Sequence, residues 1–196
     1  MVVTTARMSL KEFLSYEDET DTVYELENGE RIATAPESYL NNRIASFLLI
    51  YFSQIGILPE CLHTKVEVAV SGLRATVRVP DLTVLSEELV AALEGATRAT
   101  VMLEMPPPRL VVEVVSPGKK NIDRDYRYKK SQYEARGIEE YWIVDPVAQK
   151  VTVFSLVEGL YETAVFEGDA VVESGLLTAL KVEEGLTAAR VLRGGK

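Results

Sequence analysis

Apolar positions along this chain switch between two periods, and the switches outline its elements. Ile44, Phe47, Leu48 and Tyr51 recur at helical spacing, which predicts a helix over residues 38–54 that Gly56 closes. Residues 65–70 alternate instead, with Val66, Val68 and Val70 on one face of a strand. Residues 75–85 read as another strand, with Pro80 set inside it. Proline cannot donate to the ladder, so an edge, a bulge or a kink is expected there. Ser86-Glu87-Glu88 opens a short helix ending near Gly95. After three prolines, residues 110–115 form an apolar β-branched run broken by one acid, Glu113. A turn at Ser116-Pro117-Gly118 follows, then a polar helix over 123–136 and a second buried strand at 140–144. Strand, helix, strand at this length is a crossover unit, so a sheet packed against helices is expected.

The flanks add hairpins. Ser9 caps a first helix, with Glu12 three residues on, and residues 24–32 turn on Asn28-Gly29. Residues 150–156 and 161–165 pair around Glu158-Gly159, and the chain ends in an amphipathic segment at 183–191. No repeat, low-complexity tract or interdomain linker interrupts this order. The expected class is α/β (α+β), one domain over residues 1–196, with hairpins added at both ends of a mixed, helix-flanked sheet.

Composition narrows the chemistry. At 196 residues and 47% hydrophobic, the chain can bury a sizeable core. No apolar run is long enough to span a bilayer, and MVVTTARMSL lacks the apolar heart of a secretory leader, so a cytoplasmic protein is expected. One cysteine, Cys61, excludes an internal disulfide and a cysteine zinc cluster; one histidine, His63, excludes a multi-histidine site. A bound metal would therefore take oxygen ligands, which favours Mg2+ or Mn2+. The net charge of -9 argues against tight, purely electrostatic DNA binding. The basic residues gather at 119–130, with Arg74 and Arg78 apart.

Glu113 is the anomaly, because a charge inside an apolar strand costs several kcal/mol unless it is paired or holds a cation. By alternation it shares a face with Val111 and Val115, while Asp81 shares one with Val77, Val79 and Thr83. If the two strands are neighbours, the carboxylates can converge and hold one divalent cation open to water and phosphate. Plainer readings stand beside these. Asp81 can be an ordinary strand-end acid, and Lys129 with Asp125 a helical ion pair worth a few tenths of a kcal/mol; Glu67 could add a metal ligand from the neighbouring strand, though alternation reads it as a solvated acid. Trp142 and Tyr141 read as core, and His63 and Cys61 as bystanders.

Several phrases fall in a familiar order: YELENGE at 24–30, VRVPDLTVLSEE at 77–88, LVVEVVSP at 110–117, the Asp125, Lys129, Tyr133 spacing, and EYWIVDP at 140–146. Together they resemble the PD-(D/E)XK nuclease superfamily and, more finely, its Uma-type restriction endonuclease family, over nearly the whole chain from Ser9. The resemblance implies a restriction-endonuclease-like core and divalent-metal-dependent hydrolysis of phosphodiesters, with Asp81 and Glu113 as metal ligands and DNA as substrate. Two positions depart from the pattern. Val115 stands where the superfamily usually has lysine, and Asn41 where the Uma type often has histidine, which leaves open whether that helix serves the site.

Lys129 is the expected replacement for the missing lysine. It lies three residues after Tyr126 and four before Tyr133, on the aromatic helix face, whereas Lys130 is rotated about 100° toward solvent. Its ammonium would position water or stabilise charge on the phosphate, and Lys129→Ala should then leave folding nearly intact. A homodimer is expected, since duplex cleavage needs two sites. The alternative is a non-catalytic interaction or assembly module that keeps the nuclease fold.

Overall fold

The computed structural model of the chain describes residues 7–17, 20 and 22–196; most of the segment read for a leader, residues 1–6, lies outside them. Helix α1 (Leu10–Leu14) carries the expected capping box, with Ser9 and Glu12 satisfying each other's backbone amides. β1 (Tyr24–Glu27) and β2 (Glu30–Ala33) join through Asn28 and Gly29, both at positive φ, the turn that suits strand twist. α2 (Tyr39–Gln54) starts at Ser38, whose hydroxyl accepts from the Asn41 amide. The chain continues through β3 (Leu62–His63), β4 (Glu67–Val70), β5 (Thr76–Arg78), β6 (Leu82–Val84), α3 (Glu87–Leu93) and β7 (Thr100–Val101).

The crossover unit follows as β8 (Leu110–Val114), α4 (Lys119–Asp123), a π-helical stretch (Arg124–Lys129), α5 (Lys130–Arg136) and β9 (Glu140–Asp145). β8 and β9 run parallel, as a crossover requires. β10 (Lys150–Val157) and β11 (Leu160–Glu167) form the C-terminal hairpin, and α6 (Gly175–Ala179) and α7 (Ala188–Leu192) close the chain.

The strands divide between two mixed sheets. One has the order β2-β1-β5-β4-β7 and the other β11-β10-β9-β8-β6-β3. The C-terminal hairpin extends the larger sheet, as expected of an addition. The N-terminal hairpin does not stand apart; β1 pairs with β5 and so belongs to the second sheet. The expected single strand over 75–85 is two strands, because the chain bends at Val79-Pro80-Asp81 and passes from one sheet to the other. Pro80, with no amide to give a ladder, sits in that bend.

Helices α2, α6 and α7 cover one face of the larger sheet, packing Ile44, Leu48, Phe52, Leu177 and Val191 against Leu82, Val112, Trp142 and Val153. On the other face, Val111, Tyr141, Ile143 and Phe154 meet Tyr133 of α5 and Val68 and Val70 of the smaller sheet. Trp142 and Tyr141 are both core residues. No helix among the described residues is long and apolar enough to cross a membrane.

Candidate active site

β6 and β8 are antiparallel neighbours, with Leu82 opposite Val112 and Thr83 opposite Val111. The same register carried one residue further sets Asp81 opposite Glu113. Asp81 Oδ2 accepts the Val114 amide at 2.6 Å, so the aspartate side chain continues the ladder where the strand has bent away. Glu113 is 4% exposed. Its Oε1 accepts from Lys129 Nζ at 2.7 Å and from the Tyr133 hydroxyl at 2.8 Å.

The buried charges form a network between the two sheets. Lys129, 3% exposed, also lies 3.2 Å from Glu25 Oε1 and 3.9 Å from Asp125 Oδ1. Glu25, on β1, accepts from Arg78 Nη1 at 2.9 Å and from the Val79 amide at 3.2 Å. Arg78 Nε donates to Gln132, and Arg124 Nε donates to Asp125 at 2.9 Å. Burial works against a charged Glu25, but Lys129 and Arg78 outweigh it and hold its carboxyl at about 2. Burial also disfavours the Lys129 ammonium, yet Glu113, Glu25 and Asp125 raise its pKa above the ordinary lysine value. Tyr133 is pushed well up by burial and by Glu113, so it remains a phenol donor.

The two proposed ligands behave oppositely to Glu25. Burial raises Asp81 to about 6, against the pull of the Val114 amide and Lys129. Burial also raises Glu113, to about 8; Lys129 pulls it down, while Asp81, Asp125 and Glu25 push it further up. Arg78 also lies 3.3 Å from Glu27, so five carboxylates here face three cations, and the excess of negative charge favours a proton or a bound cation. Asp81 Oδ1 and Glu113 Oε2 accept no hydrogen bond among the described residues. Two carboxylates, each with one open oxygen and a raised pKa, fit a hard divalent cation that keeps water in its remaining positions. Among the described residues no group of three or more His, Cys, Asp or Glu side chains is placed to hold a metal.

Asp81 lines a cleft of about 770 Å³ together with Glu37, Asn41, Ser46, Thr64 and Lys65; Glu113 and Lys129 do not line it. Helix α2 therefore reaches the site despite its missing histidine. Asn41 Nδ2 donates to Glu37 Oε2 at 2.9 Å, to Ser116 Oγ at 3.2 Å and to the Val114 carbonyl at 3.4 Å, tying α2 to the end of β8. Glu37 and Lys65 were not singled out from the sequence: Glu37 lies outside the periodic elements, and Lys65 reads only as the first residue of the alternating segment 65–70. Lys65 is exposed, is the one Lys or Arg among the cleft-lining residues, and holds φ at +64°.

Other expectations need correction. Glu67 is not a solvated acid, because Arg98 binds it at 2.6 and 2.8 Å and the Thr100 hydroxyl donates to it. It lines a different cavity and takes no part beside Asp81 and Glu113. Lys129 sits on the inward face as expected, but through a π-helical stretch rather than a regular helix. Lys130 is only partly exposed, 3.7 Å from Glu134 and over the Phe154 ring. His63 Nε2 donates to the Glu60 carbonyl and lines a separate groove; Cys61 is buried, and neither lines the cleft.

A family model described as "Uma2: Putative restriction endonuclease" matches residues 10–188. Among solved structures, the chain is similar to the crystal structure of a putative nuclease belonging to DUF820 from Anabaena variabilis. The two are 18% identical, the match covers 96% of this chain and 99% of that one, and the TM-score is 0.71. At that identity the likeness shows the fold. A search of curated proteins found no match.

Proposed function

The chain belongs to the Uma2 family of putative restriction endonucleases, and from that premise we propose that it hydrolyses phosphodiester bonds of DNA at the Asp81 cleft, using Mg2+ or Mn2+. The observation that carries this reading is the cross-strand pair Asp81 and Glu113, each with an oxygen free to bind a cation. Asp81 Oδ1 and Glu113 Oε2 would hold the metal. When bound, the cation supplies Lewis acidity toward a phosphoryl oxygen and eases deprotonation of a coordinated water.

The chain's own groups divide the remaining work. Lys129 and Tyr133 both bind Glu113 Oε1, which fixes the carboxylate and leaves its other oxygen without a hydrogen bond among the described residues. Lys129 is therefore a positioning residue rather than a cation presented to substrate. Lys65 is the cleft cation available to a phosphate, and its left-handed backbone is strain of the kind held at functional positions. Asn41 keeps Glu37 and the end of β8 in place beside Asp81.

Nicking of supercoiled plasmid in Mn2+, with Mn2+ binding followed by calorimetry, tests the reading. Wild type should bind and cleave, and Asp81→Asn and Glu113→Gln should lose both. Equal cleavage by wild type and Glu113→Gln would end it. The alternative of a non-catalytic interaction module draws on the net charge of -9 and the absence of a third acidic ligand among the described residues. A wild type that binds Mn2+ and cleaves no nucleic acid selects that alternative.

A further inference from the structure

β11 is the last strand of the larger sheet, with β10 on one side and no strand on the other among the described residues. Residues 162–165 are all exposed, so the middle of the strand is open on both faces of the sheet. Val165 is 53% and Leu160 68% exposed, and the strand carries no lysine or proline to discourage pairing. An edge of this kind is a template for another strand.

The hairpin decides which backbone groups are free. Its two-residue turn, Glu158-Gly159, makes Val157 and Leu160 the closing hydrogen-bonded pair. Leu160, Glu162, Ala164 and Phe166 therefore direct their amides and carbonyls at β10, and Tyr161, Thr163, Val165 and Glu167 direct theirs outward. Two outward groups are already occupied. The Tyr161 amide donates to Glu134 Oε1 at 2.6 Å, and the Glu167 carbonyl accepts the Ala170 amide at 3.1 Å. Thr163 and Val165 keep both groups, Tyr161 its carbonyl and Glu167 its amide.

We propose that two copies of this chain join β11 to β11, antiparallel, with the two-fold axis at Ala164. In that register Thr163 faces Val165 of the second copy, and Tyr161 faces Glu167 of the second copy. The two occupied groups, the Tyr161 amide and the Glu167 carbonyl, then face each other. Every free group gains a partner and no occupied one loses its own. An axis at Thr163 instead sets the Val165 carbonyl against the occupied Tyr161 amide. An axis at Val165 sets the Thr163 amide against the occupied Glu167 carbonyl. An axis at Glu162 places that carboxylate opposite its own copy, which like charge disfavours. At Ala164, Glu162 lies opposite Phe166 and Glu167 opposite Tyr161, so no like charges meet. The larger sheet becomes continuous across both copies, and the edge is closed.

Sedimentation of the full chain from about 1 to 100 µM tests this, with two variants that leave the β10 ladder untouched. Thr163→Pro removes an outward amide, and Val165→Lys installs the charge that natural edges use against pairing. Wild type should be a dimer, and each variant should weaken dimerisation by about tenfold or more with an unchanged circular dichroism spectrum. If Thr163→Pro fails to fold, Val165→Lys decides alone. A wild type that stays monomeric throughout the range, or a dimer that Val165→Lys leaves equally tight, overturns the proposal. Cleavage activity is measured separately, so failure here is distinguishable from failure of the nuclease reading.

Discussion

Lys129→Ala should destabilise the protein severely, contrary to what the sequence suggests for that change. The ammonium is 3% exposed and lies 2.7 Å from Glu113, 3.2 Å from Glu25 and 3.9 Å from Asp125. Its removal leaves three buried carboxylates short of a cation, and breaking one partner of a buried pair costs about 3–5 kcal/mol. For a domain of this size each kcal/mol is worth about 2–4 °C, so the melting midpoint should fall by about 6–20 °C. The cost should depend on pH. In wild type Lys129 and Arg78 hold Glu25 at about 2, a contribution present above the ordinary carboxylate pKa and lost as pH falls toward 2. Without Lys129 that contribution shrinks and Glu113 rises beyond its value of about 8. The deficit is therefore greatest near pH 8 and smallest near pH 4, where the carboxyls take up protons. Thermal denaturation of both proteins at several pH values measures it. A midpoint within about 2 °C of wild type at pH 8 would refute the buried-network reasoning. Lys130→Ala, which breaks only a 3.7 Å pair with Glu134, should cost about 0.5 kcal/mol or less.

Three further outcomes follow from the same geometry. Asp81 and Glu113 have raised pKa values, so the metal-free native state binds more protons than the unfolded chain. Its stability should fall as pH rises from about 4 through 8, and Glu113→Gln should flatten that slope in urea melts. Lys65→Ala should reduce the salt dependence of DNA binding in Ca2+ by about one phosphate contact while leaving Mn2+ affinity unchanged; an unaltered slope removes Lys65 from the phosphate path. Asn41→Ala should cost about 1–3 kcal/mol in a urea titration, because the buried Val114 carbonyl and Glu37 lose their shared donor.

The sequence carried the crossover unit well, because β-branched runs and helical spacing are local signals. It singled out Glu113 because that residue violates the apolar pattern around it. It did not carry the division into two sheets. Pro80 announces a break, but which sheet each half joins is set by pairings with β1 and β8, far away in the chain. The surroundings of Lys129 were not legible for a similar reason. Helical spacing put it on the inward face, but only the fold brings Glu25 from β1 and Arg78 from β5 to that spot. Glu25 and Arg78 look like ordinary polar positions of alternating strands until the sheets close over them. Glu37 belongs to no periodic segment and Lys65 reads only as the polar first residue of one, so nothing in the pattern singles them out.

The bend at Pro80 also bears on how the molecule comes apart. Residues 76–84 supply one strand to each sheet, and the Glu25–Lys129–Glu113 contacts pin the smaller sheet to the larger across the same seam. Neither sheet can then open as an independent unit, since loosening one drags on the strand it shares by covalent continuity with the other. Amide exchange of β5 and β6 should consequently proceed through one common opening, with a single free energy for both. The candidate site lies on that seam, so its geometry persists as long as the two halves stay together and vanishes in the same event that separates them.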